Sequence, residues 1–146
     1  MRQYESSLQM RVAEYLCRQY PDVQFHSDFG SGVKLSKIQA VTQLRQNGYR
    51  RGWPDMFIAE PKIETAIHPR YGFGGGVKNA IFHGLFLELK KEGTRMRKKN
   101  GDWASEHIAE QAEVLLKLRK AGYVAEFAIG FDEAVRIIDE YLGGLK

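Results

Sequence analysis

Cysteine occurs once in this 146-residue chain, at Cys17, so no internal disulfide can form and no multi-cysteine cluster can hold zinc. As the lone thiol, Cys17 is expected to pack as a small apolar side chain. The histidines His26, His68, His83 and His107 never fall at the His-x-x-x-His spacing that sets two imidazoles on one helical face, which argues against a histidine zinc site. No apolar run nears the ~20 residues of a membrane span. The strongest, Ile81 to Leu89, is broken by His83, Gly84 and Glu88. Arg2, Glu5 and Arg11 interrupt the first segment, which does not read as an export signal, so the expected setting is cytoplasmic. The run Gly72-Phe73-Gly74-Gly75-Gly76 lacks the Gly-Lys-Ser/Thr ending of a phosphate-binding loop, and no nucleotide cofactor is expected. Nothing repeats at a fixed period, which excludes a solenoid.

What is present suits one domain over residues 1–146. Hydrophobic residues at 43% and charged ones at 27% are globular proportions. Lys and Arg number 22 against 18 Asp and Glu, a balance of +4. The segment Glu88 to Lys99 holds six bases and two acids, also +4, leaving 16 against 16 elsewhere. The basicity is therefore local. A concentrated cationic segment suits a polyphosphate partner, because each base meeting a phosphate releases counterions; a solvated loop is the plainer reading.

Apolar spacing predicts a helix over Gln3 to Gln19, with Leu8, Val12, Tyr15 and Leu16 on one side and Pro21 as its stop. A short strand falls within Asp22 to Phe29. A second helix spans Lys34 to Gln46, with Leu35, Ile38 and Val41 inward and Asn47-Gly48 ending it. A turn through Trp53-Pro54 feeds a strand over Asp55 to Ala59. Residues 60–80 show no regular pattern and read as an insertion or loop. A strand follows over Ile81 to Lys91. Ser105 opens a helix to Ala121, capped by Gly122, then a strand over Tyr123 to Ile129 and a closing helix over Asp132 to Leu142. Strand, helix, strand implies a crossover with a parallel pair, hence an α/β sheet flanked by helices.

Within the strand Leu85-Phe86-Leu87-Glu88-Leu89-Lys90, alternation sends Glu88 and Lys90 to one face, about 7 Å apart along the strand, and Leu87 and Leu89 to the other. Taken alone, a Glu-x-Lys is most simply a structural ion pair. Gly52-Trp53-Pro54-Asp55 sets a second acid just after a stiffened turn at a strand entrance, where it can converge on the neighbouring strand; alone, Asp55 is most simply a turn residue. Two carboxylates are the hard oxygen ligands that Mg²⁺ or Mn²⁺ prefers, and the lysine can orient or deprotonate a water or stabilise developing charge.

Gly52-x-Pro54-Asp55, then Glu88-x-Lys90, then Gln111 on the next helix, resembles the PD-(D/E)XK nuclease superfamily and, within it, the virus-type replication-repair nuclease (VRR-NUC) family. The resemblance spans most of the chain and departs at residues 60–80, where Asp55 and Glu88 are unusually far apart. It implies a restriction-endonuclease-like mixed β-sheet flanked by helices, with an insertion between the first two core strands. It implies that Asp55, Glu88 and the Leu89 carbonyl bind Mg²⁺ or Mn²⁺, that Lys90 positions or activates water, and that Gln111 supports the site. Such nucleases often add an acid from the first helix. At about 100° per residue, Glu5 lies beside the Leu8, Val12 and Leu16 stripe while Glu14 falls half a turn away, so Glu5 is the candidate and Gln9 a companion.

Arg50 and Arg51 precede the turn, and Lys91, Arg95, Arg97, Lys98 and Lys99 follow the Glu-x-Lys strand, so both basic clusters flank the candidate site. Such residues grip phosphates without specifying sequence, which favours structure-selective over sequence-specific cleavage. Trp53 and Trp103 suit base stacking or packing. The resemblance further implies a hydrolase that cleaves Holliday junctions or related branched DNA to 5′-phosphate and 3′-hydroxyl ends, acting as a homodimer in a bacterial or phage-infected host. Ile137, Ile138, Tyr141 and Leu142 of the closing helix offer apolar surface for pairing or for the core. The rival readings are a restriction-like duplex endonuclease and a non-catalytic nucleic-acid-binding module.

Overall fold

The computed structural model of the chain describes residues 2–28, 35–64 and 80–143, with the side chains of the first helix described from residue 6 onward. In chain order the elements are α1 (Arg2–Gln19), β1 (Phe25–Ser27), α2 (Lys37–Gln46), β2 (Met56–Ile58), β3 (Lys62–Glu64), β4 (Ala80–Phe82), β5 (Leu85–Lys90), α3 (Glu106–Lys120), β6 (Val124–Ile129) and α4 (Gly130–Leu142). The main sheet runs β1-β2-β5-β6. β2 pairs antiparallel with both β1 and β5, and β5 pairs parallel with β6 from Leu85–Val124 to Lys90–Ile129. The parallel pair is the one that the strand-helix-strand order predicts, and the mixed sheet is what the family resemblance implies.

All six residues of β5 are buried, as a strand paired on both edges and covered on both faces requires. Leu85, Leu87 and Leu89 join Leu8, Val12 and Leu16 of α1 and Ile137, Ile138 and Leu142 of α4 in the larger core. Phe86 points the other way, into a second cluster with Leu115 and Leu118 of α3 and Ala125 of β6. Alternation therefore sends Glu88 and Lys90 to the α3 face. In α3, Ile108, Gln111, Leu115 and Leu118 form the buried stripe, and the Ser105 hydroxyl caps the first turn by accepting from the Ile108 N–H at 3.2 Å.

α1 and α4 are also joined by a polar clasp. The hydroxyls of Tyr15 and Tyr20 both donate to Asp139 Oδ1 at 2.6 Å. Burial, and then the bond to that carboxylate, push the Tyr20 phenol far above its ordinary range.

Several expectations are corrected. Ile137, Ile138, Tyr141 and Leu142 are buried in the chain's own core, so these four offer no apolar surface for pairing. Cys17 is exposed, because it lies about 100° around α1 from the buried Leu16. The strand expected over Ile81 to Lys91 is two strands broken at His83-Gly84. A Cβ on Gly84 would sit 2.6 Å from the Phe57 ring, and the His83 N–H donates to the Gly122 carbonyl at 2.9 Å. β4 pairs with β3 in a separate two-stranded sheet, so the expected irregular segment 60–80 begins and ends in strand; residues 65–79 lie outside the described residues.

The correction at α2 is the largest. The helix forms as predicted, with a Ser36–Gln39 capping box, and ends at Asn47-Gly48, where Gly48 takes φ 60° and Tyr49 follows at φ 59°. None of its residues is buried: Ile38 is 80% exposed, and Leu35 and Val41 are exposed too. The apolar stripe predicted to face inward faces outward.

Candidate active site

The turn before β2 is moulded to α3. Gly52 has φ 76°, and a Cβ there would come 3.2 Å from the Glu110 carbonyl and 3.3 Å from the Gln111 backbone. Glycine satisfies both the left-handed conformation and the close approach. Pro54 is buried behind it, and Asp55 emerges at the start of β2 with its carboxylate against β5, where Oδ2 accepts the Leu89 N–H at 2.8 Å. Its carbonyl accepts from the Asp28 N–H at 2.8 Å and from Gln9 Nε2 at 3.3 Å. Gln9 Nε2 also donates to the Asp28 carbonyl at 2.8 Å, so α1 ties the turn to the end of β1.

Glu88 and Lys90 project from β5 beneath α3. Lys90 Nζ donates to Glu88 Oε1 at 2.9 Å and to Gln111 Oε1 at 2.7 Å, and Gln111 Nε2 donates to Glu88 Oε1. The three residues close a triangle in which every member is buried. A buried ammonium and a buried carboxylate require such mutual satisfaction, because leaving either charge uncompensated is strongly unfavourable. Gln111 is suited to the third corner, since an amide accepts from the lysine and donates to the glutamate at once.

Asp55, Glu88, Leu89, Lys90, Gln111 and Gln9 line one cavity of about 230 Å³, together with His107. The structure thus brings together the acids, the lysine and the glutamine singled out in the sequence. Glu5 lies in α1, but its side chain falls outside the described residues. His107 was missed as a site residue; its signal is its place four residues before Gln111, hence on the same face of α3.

The basic residues divide. Arg50, Arg51, Lys91, Lys98 and Lys99 are exposed. Arg95 Nε donates to the Arg97 carbonyl at 2.8 Å and Arg97 Nη1 to the Gly101 carbonyl at 2.7 Å, with the Arg97 guanidinium 3.8 Å above the Trp103 ring, so both brace their own loop. Trp103 packs beside Phe127 as well, whereas Trp53 meets Phe86 edge-on and stays 55% exposed.

Two carboxylates, Asp55 and Glu88, line this cavity, and carboxylate oxygens are the ligands a hard divalent cation takes. Among the described residues no group of three or more His, Cys, Asp or Glu is arranged to hold a metal. No helix among them is long and apolar enough to cross a membrane.

No family model matches the sequence, and no curated protein matches it. Among solved structures, the chain is similar to a "VRR_NUC domain protein" at 21% identity and a TM-score of 0.58, over 96% of this chain and 88% of that one. The two share a fold, that of the family which the sequence motifs resemble.

Proposed function

We propose that this chain is a divalent-metal-dependent endonuclease that hydrolyses branched DNA, Holliday junctions or related structures, to 5′-phosphate and 3′-hydroxyl ends. The observation that carries the reading is the convergence of Asp55, Glu88, Lys90 and Gln111 on one cavity from β2, β5 and α3. A module that only binds nucleic acid has no use for a buried lysine held between a glutamate and a glutamine beside a second carboxylate.

Asp55, Glu88 and the Leu89 carbonyl would hold Mg²⁺ or Mn²⁺, which supplies charge neutralisation at the scissile phosphate and a more acidic water. The chain's own residues do the rest. The Leu89 N–H fixes the Asp55 carboxylate at the cavity by donating to its Oδ2. Lys90, an ammonium with three N–H donors, uses one on Glu88 and one on Gln111 and keeps a third to hold the attacking water. Gln111 prevents Lys90 from collapsing fully onto Glu88. Glu5 is a further candidate from α1. Arg50, Arg51, Lys91, Lys98 and Lys99 grip phosphates on either side, with Arg95 and Arg97 adding charge from the braced loop.

A four-way junction has two-fold symmetry and two strands to nick, a task that two copies of the chain meet; Ile137, Ile138, Tyr141 and Leu142, being buried, are not their contact. The test is incubation of the protein with labelled four-way, flap, single-stranded and duplex DNA under Mg²⁺, Mn²⁺ or EDTA. Metal-dependent nicking with branched DNA preferred is the expected result. Binding without cutting under every metal condition would sink the proposal.

A further inference from the structure

Beside the metal-site cavity lies a larger groove of about 700 Å³, within the roughly 300–1,000 Å³ of clefts that hold small organic groups. Asp55 belongs to both, so the groove opens directly off the candidate cutting site. One wall is α2. Gln43, Gln46 and Asn47 share the side of that helix opposite Ile38 and Val41, and all three amides line the groove. Ile38 and Val41, on the far side of α2, are exposed, and the side that meets the groove is the one that carries the amides.

The floor is aromatic. Phe57 stacks on Phe86 with centroids 4.4 Å apart, and Trp53 stands edge-on to Phe86 at 5.3 Å and 82°. Phe86 therefore holds the indole in place while Trp53 remains more than half exposed at the groove. Arg50 adds one cation to the lining.

From this arrangement we infer that the groove between α2 and the β1–β2 edge takes an unpaired nucleotide of the DNA next to the scissile phosphate. Trp53 stacks on the base, the amides of Gln43, Gln46 and Asn47 bond its edge, and Arg50 meets the adjoining phosphate. Each group matches one part of a nucleotide: a flat ring for a flat base, amides that donate and accept for its Watson–Crick edge, and a guanidinium for phosphate. A base stacked inside a duplex cannot present its face to Trp53. The groove would accordingly favour flaps, junction points and other sites where a base is released, which gives the proposed structure selectivity a physical source. The inference rests on the nuclease reading for the identity of the strand, but not for its test.

The test is a binding measurement in EDTA, so that no cleavage occurs. A Trp103→Phe variant leaves Trp53 as the reporting tryptophan, and labelled DNA follows binding by anisotropy. Flap DNA with unpaired nucleotides should bind and quench Trp53 emission. The same flap with an abasic unit at the junction-proximal unpaired position should bind without full quenching, and continuous duplex should bind without quenching. Trp53→Leu should weaken flap binding about tenfold, in line with loss of one base–aromatic stack. If Trp103→Phe fails to fold, 2-aminopurine at the unpaired position reports stacking on the wild-type protein. Flap binding with no change in either signal overturns the inference, and if metal-dependent cutting persists the nuclease reading stands without it. Equal quenching by a free mononucleotide overturns it as well, since the groove would then serve a small ligand. Stacking without cutting under Mg²⁺ or Mn²⁺ upholds the groove and removes the nuclease reading.

Discussion

Asp55 does two things at once: its carboxylate is fixed by the Leu89 N–H while its carbonyl anchors the end of β1 and Gln9. A change that alters only the carboxylate should therefore spare the fold. Asp55→Asn is expected to lower cleavage by about 10²-fold or more while fold and DNA binding persist; Glu88→Gln and Lys90→Ala should lower it as far but also lower the melting temperature, since each leaves one charge of a buried pair uncompensated. Single-turnover cleavage alongside anisotropy checks this, and any variant cutting near the wild-type rate drops out of the mechanism. Gly52 makes a separate prediction. Gly52→Ala must hold φ 76° with a Cβ pressed on the α3 backbone, a strain of about 1–2 kcal/mol. The turn should lift from Gln111, and misplacing Asp55 by about 1 Å is enough to lower cleavage by about 10²-fold. Thermal melts should show the strain, and kinetics the larger loss.

At the level of elements, the loop joining β5 to α3 is a braced ribbon. Arg97 and Trp103 bridge it, the Lys98 N–H donates to the Asp102 carbonyl at 2.7 Å, and the Ala104 N–H donates to the Met96 carbonyl at 2.9 Å. Lys98 and Lys99 are exposed on it. Changing both to alanine is expected to reduce the salt dependence of DNA binding by about one to two units of slope, because two phosphate contacts are lost. Titrations at several salt concentrations measure this, and an unchanged slope would mean that the ribbon does not touch phosphate. Elements also mark where the sequence could and could not be read. Leu8, Val12 and Leu16 in α1 and Ile38 and Val41 in α2 carry the same kind of helical spacing, yet one set is buried and the other exposed. Spacing tells which side chains share a face, not whether anything covers it. Likewise Ile81 to Lys91 reads as one apolar strand, because the ring that crowds Gly84 at its break belongs to a distant residue, Phe57. Glu88 and Lys90 were legible from alternation and Asp55 from its turn. The bond from the Leu89 N–H to Asp55 and the place of His107 needed the packing of β2, β5 and α3.

Across the whole molecule, the clasp of Tyr15 and Tyr20 on Asp139 joins the first helix to the last. Because the folded state raises the Tyr20 phenol above its ordinary value near 10, the associated stability is complete below about pH 10 and is lost as pH rises beyond it, since the unfolded chain releases the proton first. Tyr20→Phe should therefore show a shallower alkaline loss of stability than wild type, measured by urea melts on either side of about pH 10. An identical alkaline profile would assign that loss to other groups.

The central position of β5 has one more consequence. The strand that carries Glu88 and Lys90 is also paired on both edges and buried along its length. Its amides are then among the last to exchange with deuterium, opening only when the domain opens as a unit. A molecule built this way keeps Glu88 and Lys90 in register up to its melting point, so the proposed cleavage should vanish on heating together with the architecture.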